Sequence, residues 1–256
     1  MNIIRQRMTV LSNDCLQPGI FSMWLKNRAI TELAKPGQFI DFYLKDPSRL
    51  LPRPISICEI DRENDRVRIV FRVAGVGTDE LAHLDPGDTV EAVGPLGNGY
   101  KPLKDGAALL VGGGIGIPPL LELAKQLTCK KTVVLGYRDA NTFLADEFAP
   151  YADVLIATED GSVGTKGFVT DCIEQNEVEA NIVYSCGPMM MLKNVAKMAK
   201  EAGIPAYVSL EERMACGIGA CLGCVVKTKH KDAHTNVNNA RICTEGPVFN
   251  AEDIDW

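Results

Sequence analysis

One stretch decides the fold of the central part of the chain: residues 107–127 read AALLVGGGIGIPPLLELAKQL. The apolar run Ala107–Val111 predicts a buried strand, and Pro118 suits the first turn of a helix that we expect to run to about Leu127. Glycines between a strand and a helix let a pyrophosphate rest on backbone amides, although a plain tight connection explains them equally well. The candidate dinucleotide-binding glycines are Gly112, Gly113, Gly114 and Gly116.

Strands and helices continue to alternate as far as residue 210. Predicted strands cover 132–137, 154–158, 182–185 and 206–210, and predicted helices cover 167–175 and 189–202. This alternation predicts a parallel sheet covered on both faces, a Rossmann-like α/β domain over residues 101–210. The second strand is followed by Arg138-Asp139 rather than closed by the acidic residue of a full dinucleotide fingerprint, so the choice between NAD and NADP stays open.

Residues 1–100 have a different pattern, that of short strands separated by turns. The segments 37–44 (GQFIDFYL) and 67–73 (VRIVFRV) are rich in β-branched and aromatic residues, and the polar segment 61–65 predicts a hairpin turn. Many short strands with regular turns predict a small β-barrel or a sandwich, and the barrel is the fold expected here. The expected fold class is therefore all-β followed by α/β.

The bulk composition excludes several classes of protein. The chain has 256 residues, 46% of them apolar and 23% charged, which suits more than one globular domain. The formal net charge of −6 argues against a nucleic-acid surface, and no run of 18 apolar residues predicts a membrane span. The first residues lack the apolar stretch of a signal peptide, so the expected location is the cytoplasm.

Four of the nine cysteines cluster in residues 211–256. Their spacing is Cys216-x4-Cys221-x2-Cys224, then eighteen intervening residues before Cys243, and this is the plant-type arrangement for a [2Fe–2S] cluster. Glycines inside the loop let the backbone turn sharply around a cluster and bring N–H groups close to its sulfurs. The sequence therefore predicts a cluster-binding subdomain over these residues.

A structural zinc site with the same four thiolates is the main alternative. Such sites usually pair two Cys-x2-Cys turns, whereas only one such turn is present here. His230 and His234 lie between the third and fourth cysteines, but two histidines in a polar segment are usually solvated.

A candidate flavin motif lies in the barrel region, where residues 51–57 read LPRPISI. Alone, Arg-Pro-x-Ser indicates only an edge strand with a surface arginine. The downstream segments 71–73 (FRV) and 75–78 (GVGT) add a second basic residue and a Gly-Thr turn, which favours a binding role.

A barrel with Arg-Pro-x-Ser, then Gly-Gly-Gly-Ile-Gly, then Cys-Gly-Pro resembles the ferredoxin–NADP reductase superfamily. The resemblance implies that Arg53 meets the pyrophosphate of FAD and that Ser56 lies by N5 of the isoalloxazine. A guanidinium suits phosphate, and a hydroxyl near N5 can tune the flavin. The implied flavin-binding residues are Arg53, Pro54, Ile55, Ser56, Val70, Phe71, Arg72, Gly77 and Thr78, and those implied to approach the nicotinamide are Cys186, Gly187 and Pro188.

The whole order of parts is more specific. Together with residues 209–217 (SLEERMACG) and 241–249 (RICTEGPVF), it is similar to the electron-transfer subunits of dihydroorotate dehydrogenase B. That family implies a partner chain that oxidises dihydroorotate on FMN, a heterotetramer of two chains of each kind, and NAD as the final acceptor.

The three predicted groups belong together chemically. NAD accepts a hydride, an iron–sulfur cluster moves one electron at a time, and a flavin can serve both, so FAD is expected between barrel and nucleotide domain. Two other functions stay open: a reductase subunit of another complex (sulfite reductase, hydrogenase or transhydrogenase type), and a zinc-stabilised interaction module without enzyme activity.

Overall fold

The computed structural model describes residues 4–46, 49–232 and 236–256. Its N-terminal part is a closed barrel of six antiparallel strands in the order β1-β2-β5-β4-β3-β6. Alternate residues of these strands point inward, so Ile55 and Ile57 of one strand meet Ile69 and Phe71 of its neighbour in the barrel core. The strands are β1 (Ile4–Gln17), β2 (Ile20–Lys26), β3 (Phe39–Tyr43), β4 (Arg53–Asp61), β5 (Arg66–Arg72) and β6 (Thr89–Leu96).

Two short helices close the barrel. They are α1 (Arg28–Leu33) and α2 (Val76–Ala82). The side chain of Asn27 begins α1 by accepting the backbone N–H of Ile30 at 2.9 Å. The Gly-Thr pair expected as a turn instead forms the first turn of α2, because the Thr78 hydroxyl accepts the N–H of Ala74 at 2.8 Å.

The second sheet has seven strands in the order β10-β9-β8-β7-β11-β12-β15. All neighbouring pairs are parallel except the edge pair β12–β15. Its strands are β7 (Ala107–Gly113), β8 (Lys130–Tyr137), β9 (Asp153–Thr158), β10 (Thr165–Lys166), β11 (Ile182–Cys186), β12 (Ala206–Ser209) and β15 (Val248–Asn250).

Helices cover both faces of this sheet. Leu110 of β7 packs into the core that contains α3 and α4, whereas its neighbour Val111 packs into the core that contains α5 and α6. Full burial on both faces explains why β7 is apolar without alternation. The helices are α3 (Pro118–Gln126), α4 (Ala145–Phe148), α5 (Val169–Gln175) and α6 (Met189–Glu201). The predicted all-β barrel and α/β sheet are confirmed.

The last part of the chain differs from the prediction in one respect. The polar residues 227–240 were expected to form an exposed loop or a hairpin, and the described part of this segment lies in a hairpin of β13 (Val225–Lys227) and β14 (Asn239–Arg241), whereas β15 was not expected. Because β15 adds an antiparallel edge to the nucleotide sheet, this segment is anchored on the α/β domain.

A charged network joins the barrel to the α/β domain. Arg68 of β5 is buried and binds Glu59 at 3.1 Å and also Glu147 of α4, while Lys125 of α3 binds Glu59 at 2.6 Å. These contacts hold the barrel strands β4 and β5 against α3. Within the described ranges, no helix has the length and apolar character needed to cross a membrane.

Candidate functional site

Barrel strands β4 and β5 contact α3 and the turn after β7, and this junction, called the crevice below, lies at the carboxyl end of β7. Strand β7 lies in the middle of the sheet, with β8 on one side and β11 on the other, so the strand order reverses at β7. Ligands of open α/β sheets bind at such a switch point, outside the carboxyl ends of the strands. Strand β5 contacts the 3₁₀ turn Gly114–Gly116, so the predicted flavin and nicotinamide motifs adjoin.

The glycine turn packs directly on the Cys-Gly-Pro segment. A Cβ on Gly116 would lie 2.5 Å from the carbonyl carbon of Cys186 and from the nitrogen of Gly187. A Cβ on Gly113 would lie 2.5 Å from the sulfur of Met191. Gly114, by contrast, has φ +53° and would place a Cβ in open space, so this backbone remains accessible to a ligand.

Cys186 lies at the end of β11, paired with Gly112 of β7. Its side chain is 1% exposed, and burial, together with the charge of Glu211, raises the pKa of its thiol. A neutral, buried thiol contributes to packing beside the crevice rather than acting as a nucleophile. Behind it, the hydroxyl of Tyr100 donates to the carbonyl of Ser185 at 3.0 Å.

The predicted flavin-phosphate residues meet at the mouth of the barrel. The guanidinium of Arg53 lies against Gly77, where a Cβ would be 2.0 Å from Nε. Any larger residue at position 77 would displace this guanidinium. The Thr78 hydroxyl is already engaged in capping α2, so it positions the turn rather than offering a free hydroxyl.

The remaining flavin candidates divide between the two faces of the barrel wall. Ile55 and Phe71 point into the barrel core, where Phe71 stacks on Phe21 with 6.0 Å between ring centres. Val70 packs with α3 on the outer side, and Arg72 is exposed at the end of β5. Pro54 and Ser56 are both half-buried.

The four clustered thiols are arranged as two pairs. Cys216 and Cys221 share the loop after β12, and the Cys221 thiol lies close enough to affect the pKa of Cys216. The β13–β14 hairpin brings Cys224 back to Cys243, and the Cys224 thiol affects the pKa of Cys243 in the same way. A [2Fe–2S] cluster takes two protein ligands on each iron, so two pairs suit its donor set.

The two pairs differ in their surroundings. Burial raises the pKa of Cys216, but hydrogen bonds from the main chain at Ile218 and from the Cys221 thiol lower it to about 7. Burial and the neighbouring Cys224 raise the pKa of Cys243 to about 12. In the part of the chain that the structure describes, no three His, Cys, Asp or Glu side chains converge as ligands of one metal ion.

The geometry does not support His230 as a metal ligand beside the four cysteines. His230 is exposed and lies 3.7 Å from a carboxylate oxygen of Asp253. His234 lies outside the described residues.

Two residues at the site had no role assigned from the sequence. Glu211 interacts with both Cys186 and Arg72, and so links the nicotinamide and flavin motifs. Residues 210–224 are called the cluster loop below. Asp41 of β3 is buried directly beneath Gly217 of this loop. An acidic residue inside the apolar run FIDFY was the available sequence signal for Asp41.

Comparison with known proteins places these features in a family. Residues 211–255 match the family model described as the iron-sulfur cluster binding domain of dihydroorotate dehydrogenase B. The chain is 44% identical to the dihydroorotate dehydrogenase B (NAD(+)) electron transfer subunit of Fusobacterium nucleatum, covering 96% of this chain and 97% of that one. It is also 44% identical to the subunit of that name from Geobacillus kaustophilus, covering 98% of each chain.

Solved structures agree on the architecture. A chain from the NADH-dependent reduced ferredoxin-NADP oxidoreductase superposes with a TM-score of 0.87 and 32% identity, covering 97% of this chain and 90% of that one. The ferredoxin reductase of carbazole 1,9a-dioxygenase superposes with a TM-score of 0.67 and 18% identity, covering 80% and 68%, which shows a shared fold.

Proposed function

Because the chain belongs to the family of electron transfer subunits of dihydroorotate dehydrogenase B (NAD(+)), we propose that it carries electrons from a dihydroorotate-oxidising partner to NAD⁺. Its cofactors are FAD and a [2Fe–2S] cluster, and NAD is the exchangeable substrate. Bound FAD exchanges electrons singly with a cluster and in pairs with a nicotinamide. The protein contributes position and electrostatic surroundings, and no general acid or base is required.

The cluster would be held by the two thiol pairs. Cys216 and Cys221 would bind one iron, and Cys224 and Cys243 would bind the other, since the two thiols of each pair are neighbours. The backbone N–H of Ala220 donates to Sγ of Cys216 at 3.3 Å, and that of Gly223 donates to Sγ of Cys221 at 3.4 Å. Such bonds stabilise thiolate character and tune the potential of a cluster.

The flavin would lie along the outer wall formed by β4 and β5. Arg53, held against Gly77, would bind the pyrophosphate, and Ser56 would face the isoalloxazine. Val70, Arg72 and Pro54 would line the same wall. Ile55 and Phe71 would contribute only their main chain, because their side chains fill the barrel core.

The nicotinamide nucleotide would enter from the opposite side of the crevice. Its pyrophosphate would rest on the turn of Gly112, Gly113, Gly114 and Gly116, and its ring would approach Cys186, Gly187 and Pro188. The open space at Gly114 and the tight packing at Gly116 support this orientation, since one side of the turn is free and the other is fixed.

One observation carries the proposal of direct transfer between cluster and flavin. The cluster loop packs on β3 at Asp41, and Asp41 is paired in the sheet with Pro54 of the flavin segment. The cluster loop and the flavin strand are thus separated by one strand of the barrel. Short separation is what single-electron transfer between two bound groups needs.

The partner would bind over the cluster. Ile218 and Leu222 are 47% and 48% exposed and stand on the cluster loop, where they form an apolar rim. Such a rim favours a protein interface. We propose an FMN-containing catalytic chain as the partner, two chains of each kind in the complex, and a cytoplasmic location.

We propose the division of labour that follows from these placements. Residues 1–100 would bind FAD, 101–210 would bind NAD, and 211–256 would bind the cluster. Strand β15 then belongs to the cluster unit while completing the sheet of the nucleotide unit.

Reconstitution with a dihydroorotate dehydrogenase B catalytic chain tests the proposal. We expect orotate formation coupled one-to-one to NADH formation, measured by the absorbance of each product, only when both chains are present. Orotate formation by the mixture without NADH formation would contradict it.

A second candidate is a subunit of a ferredoxin–NADP-type transhydrogenase. The superposition on a chain of the NADH-dependent reduced ferredoxin-NADP oxidoreductase, which covers 97% of this chain, favours it. In that case addition of the dihydroorotate-oxidising chain would yield no NADH, and NADH together with reduced ferredoxin would instead reduce NADP⁺ in the presence of the corresponding partner.

A further inference from the structure

Asp41 has an environment that ordinary folding does not explain. It is 0% exposed, and among the described residues neither carboxylate oxygen has a hydrogen-bond partner. A buried carboxyl without partners costs stability, so such a group calls for a functional reason.

The carboxyl lies against the cluster loop. A Cβ on Gly217 would be 1.8 Å from Oδ2 of Asp41, so the backbone immediately after Cys216 rests on this oxygen. Gly217 also has φ +65°, a left-handed conformation that favours glycine. Both features let the loop approach the carboxyl more closely than any other residue would allow.

Among the residues that the structure describes, no cation offsets the charge of Asp41. Burial alone raises the pKa of Asp41 to about 7, without a contribution from a basic side chain. The nearby Tyr43 interacts with both Asp41 and Cys216. Arg5 stacks over the Tyr43 ring at 4.9 Å, but its guanidinium also pairs with Glu91 at 3.6 Å.

We propose that Asp41 is a positioning residue that lowers the reduction potential of the iron–sulfur cluster through its negative charge. An anion in a poorly solvated place opposes the addition of an electron nearby. A lower potential makes the reduced cluster a stronger electron donor to the flavin. Asp41 lies between flavin strand and cluster loop, where its charge acts on this transfer.

This inference rests on the proposed cluster site, and the experiment separates the two. The potential of the cluster is measured at pH 8.5 by a redox titration followed by EPR, in the holo chain and in Asp41→Asn. We expect the variant to shift the one-electron equilibrium at least tenfold toward the reduced cluster, a rise of about 59 mV. The absorption spectrum and iron content should be unchanged.

Two controls distinguish a local charge effect from a general one. Asp85→Asn makes the same chemical change at an exposed position, and Tyr43→Phe alters a neighbour on the same strand without changing its charge. In both controls, the one-electron equilibrium of the cluster should stay within a few-fold of that of the parent chain. Asp41→Leu, which also removes the charge, should reproduce the rise if Asp41→Asn does not fold.

The outcomes are decisive in each direction. An unchanged potential in a variant that holds its cluster would overturn the inference and leave the proposed function intact. Loss of the cluster from both Asp41 variants would also overturn it, because the carboxyl would then hold the loop rather than set its potential. Absence of an iron–sulfur signal in the parent chain would refute the proposed function itself.

Discussion

The nucleotide turn and the cluster loop are both glycine-rich, but they are built in different ways. The turn at Gly114–Gly116 is fixed by the pairing of β7 with β11 and by the contact of Gly116 with the Cys186–Gly187 peptide. Residues 210–224, all described, form neither helix nor strand. The paired strands therefore fix the nucleotide turn, whereas no helix or strand fixes residues 210–224.

Loss of a cysteine should have the largest effect and should be confined to the second region. Cys221→Ser removes one of four thiolates, so we expect loss of the cluster and more than a 100-fold loss of coupled NADH formation. Iron and sulfide analysis with EPR measures the first, and hydrogen exchange should show opening of residues 211–224. The exposed Cys15→Ser is the matched control and should keep all signals. A full cluster in Cys221→Ser would contradict the ligand assignment.

Two buried acids of the chain differ in their hydrogen-bond partners. Glu122 of α3 accepts the N–H of Ile60 at 2.9 Å and the amide of Gln126 at 2.7 Å. Asp41, beneath the cluster loop, has no such partner among the described residues. The stability of the chain should therefore depend on pH through Asp41.

The sign follows from the pKa of Asp41. The unfolded chain loses this proton near the ordinary value of 3.8, and the folded chain keeps it up to about 7. The folded chain binds more protons between these values, so the free energy of unfolding falls as pH rises through this window. Asp41→Asn should be more stable than the parent above pH 7, by at most about 4 kcal/mol.

Urea unfolding at pH 4 and pH 8 measures this difference. The gain in Asp41→Asn should be present at pH 8 and much smaller at pH 4. The exposed Asp85→Asn should show no such change with pH. An equal gain at both pH values would contradict the raised pKa of Asp41, because the gain would then not depend on the charge of the carboxyl.

Two glycines of the nucleotide turn give a matched test of the first region. Gly116→Ala places a methyl 2.5 Å from the Cys186 peptide and should cost about 1–3 kcal/mol of stability and most NADH affinity. Gly114→Ala meets open space, so its cost should be limited to about 1–2 kcal/mol from its φ of +53°. Urea unfolding measures the loss of stability in each variant, and NADH titration measures the loss of affinity. Equal NADH affinity in Gly116→Ala and the parent would argue against this turn as the phosphate site.

The smallest effect is expected at the apolar rim of the cluster loop. Leu222→Asp should weaken association with the catalytic chain about tenfold, which is about 1.4 kcal/mol, because a charge replaces an exposed apolar contact. Sedimentation of the mixed chains measures the affinity. Leu33→Asp, a comparably exposed leucine on α1, should not change it. Unchanged assembly in Leu222→Asp would place the interface elsewhere.

The sequence predicted the parts of the molecule whose signals are local. The alternation of strands and helices after Ala107 and the spacing of Cys216, Cys221 and Cys224 each lie within a short window, and both the sheet and the family were predicted from them. Small differences remain at element ends, since α5 begins at Val169 after the short strand Thr165–Lys166.

Long-range pairings were not visible in the sequence. Strand β15 joins the nucleotide sheet 39 residues after β12 ends, and no local sequence pattern predicts this pairing. The contact between Asp41 and Gly217 spans even more of the chain and depends on how the loop folds back on the barrel. The Arg68–Glu147 pair depends likewise on the docking of two domains.

An anaerobic visible absorption spectrum of the purified chain, before and after addition of NADH, tests the central claim most directly. We predict flavin bands together with a broad iron–sulfur absorption, and both should bleach when NADH is added. This result would show that electrons from NADH reach both the flavin and the cluster, so that the flavin wall, the cluster loop and the nicotinamide crevice belong to one electron path. A colourless, zinc-containing chain would contradict the account and leave only the fold.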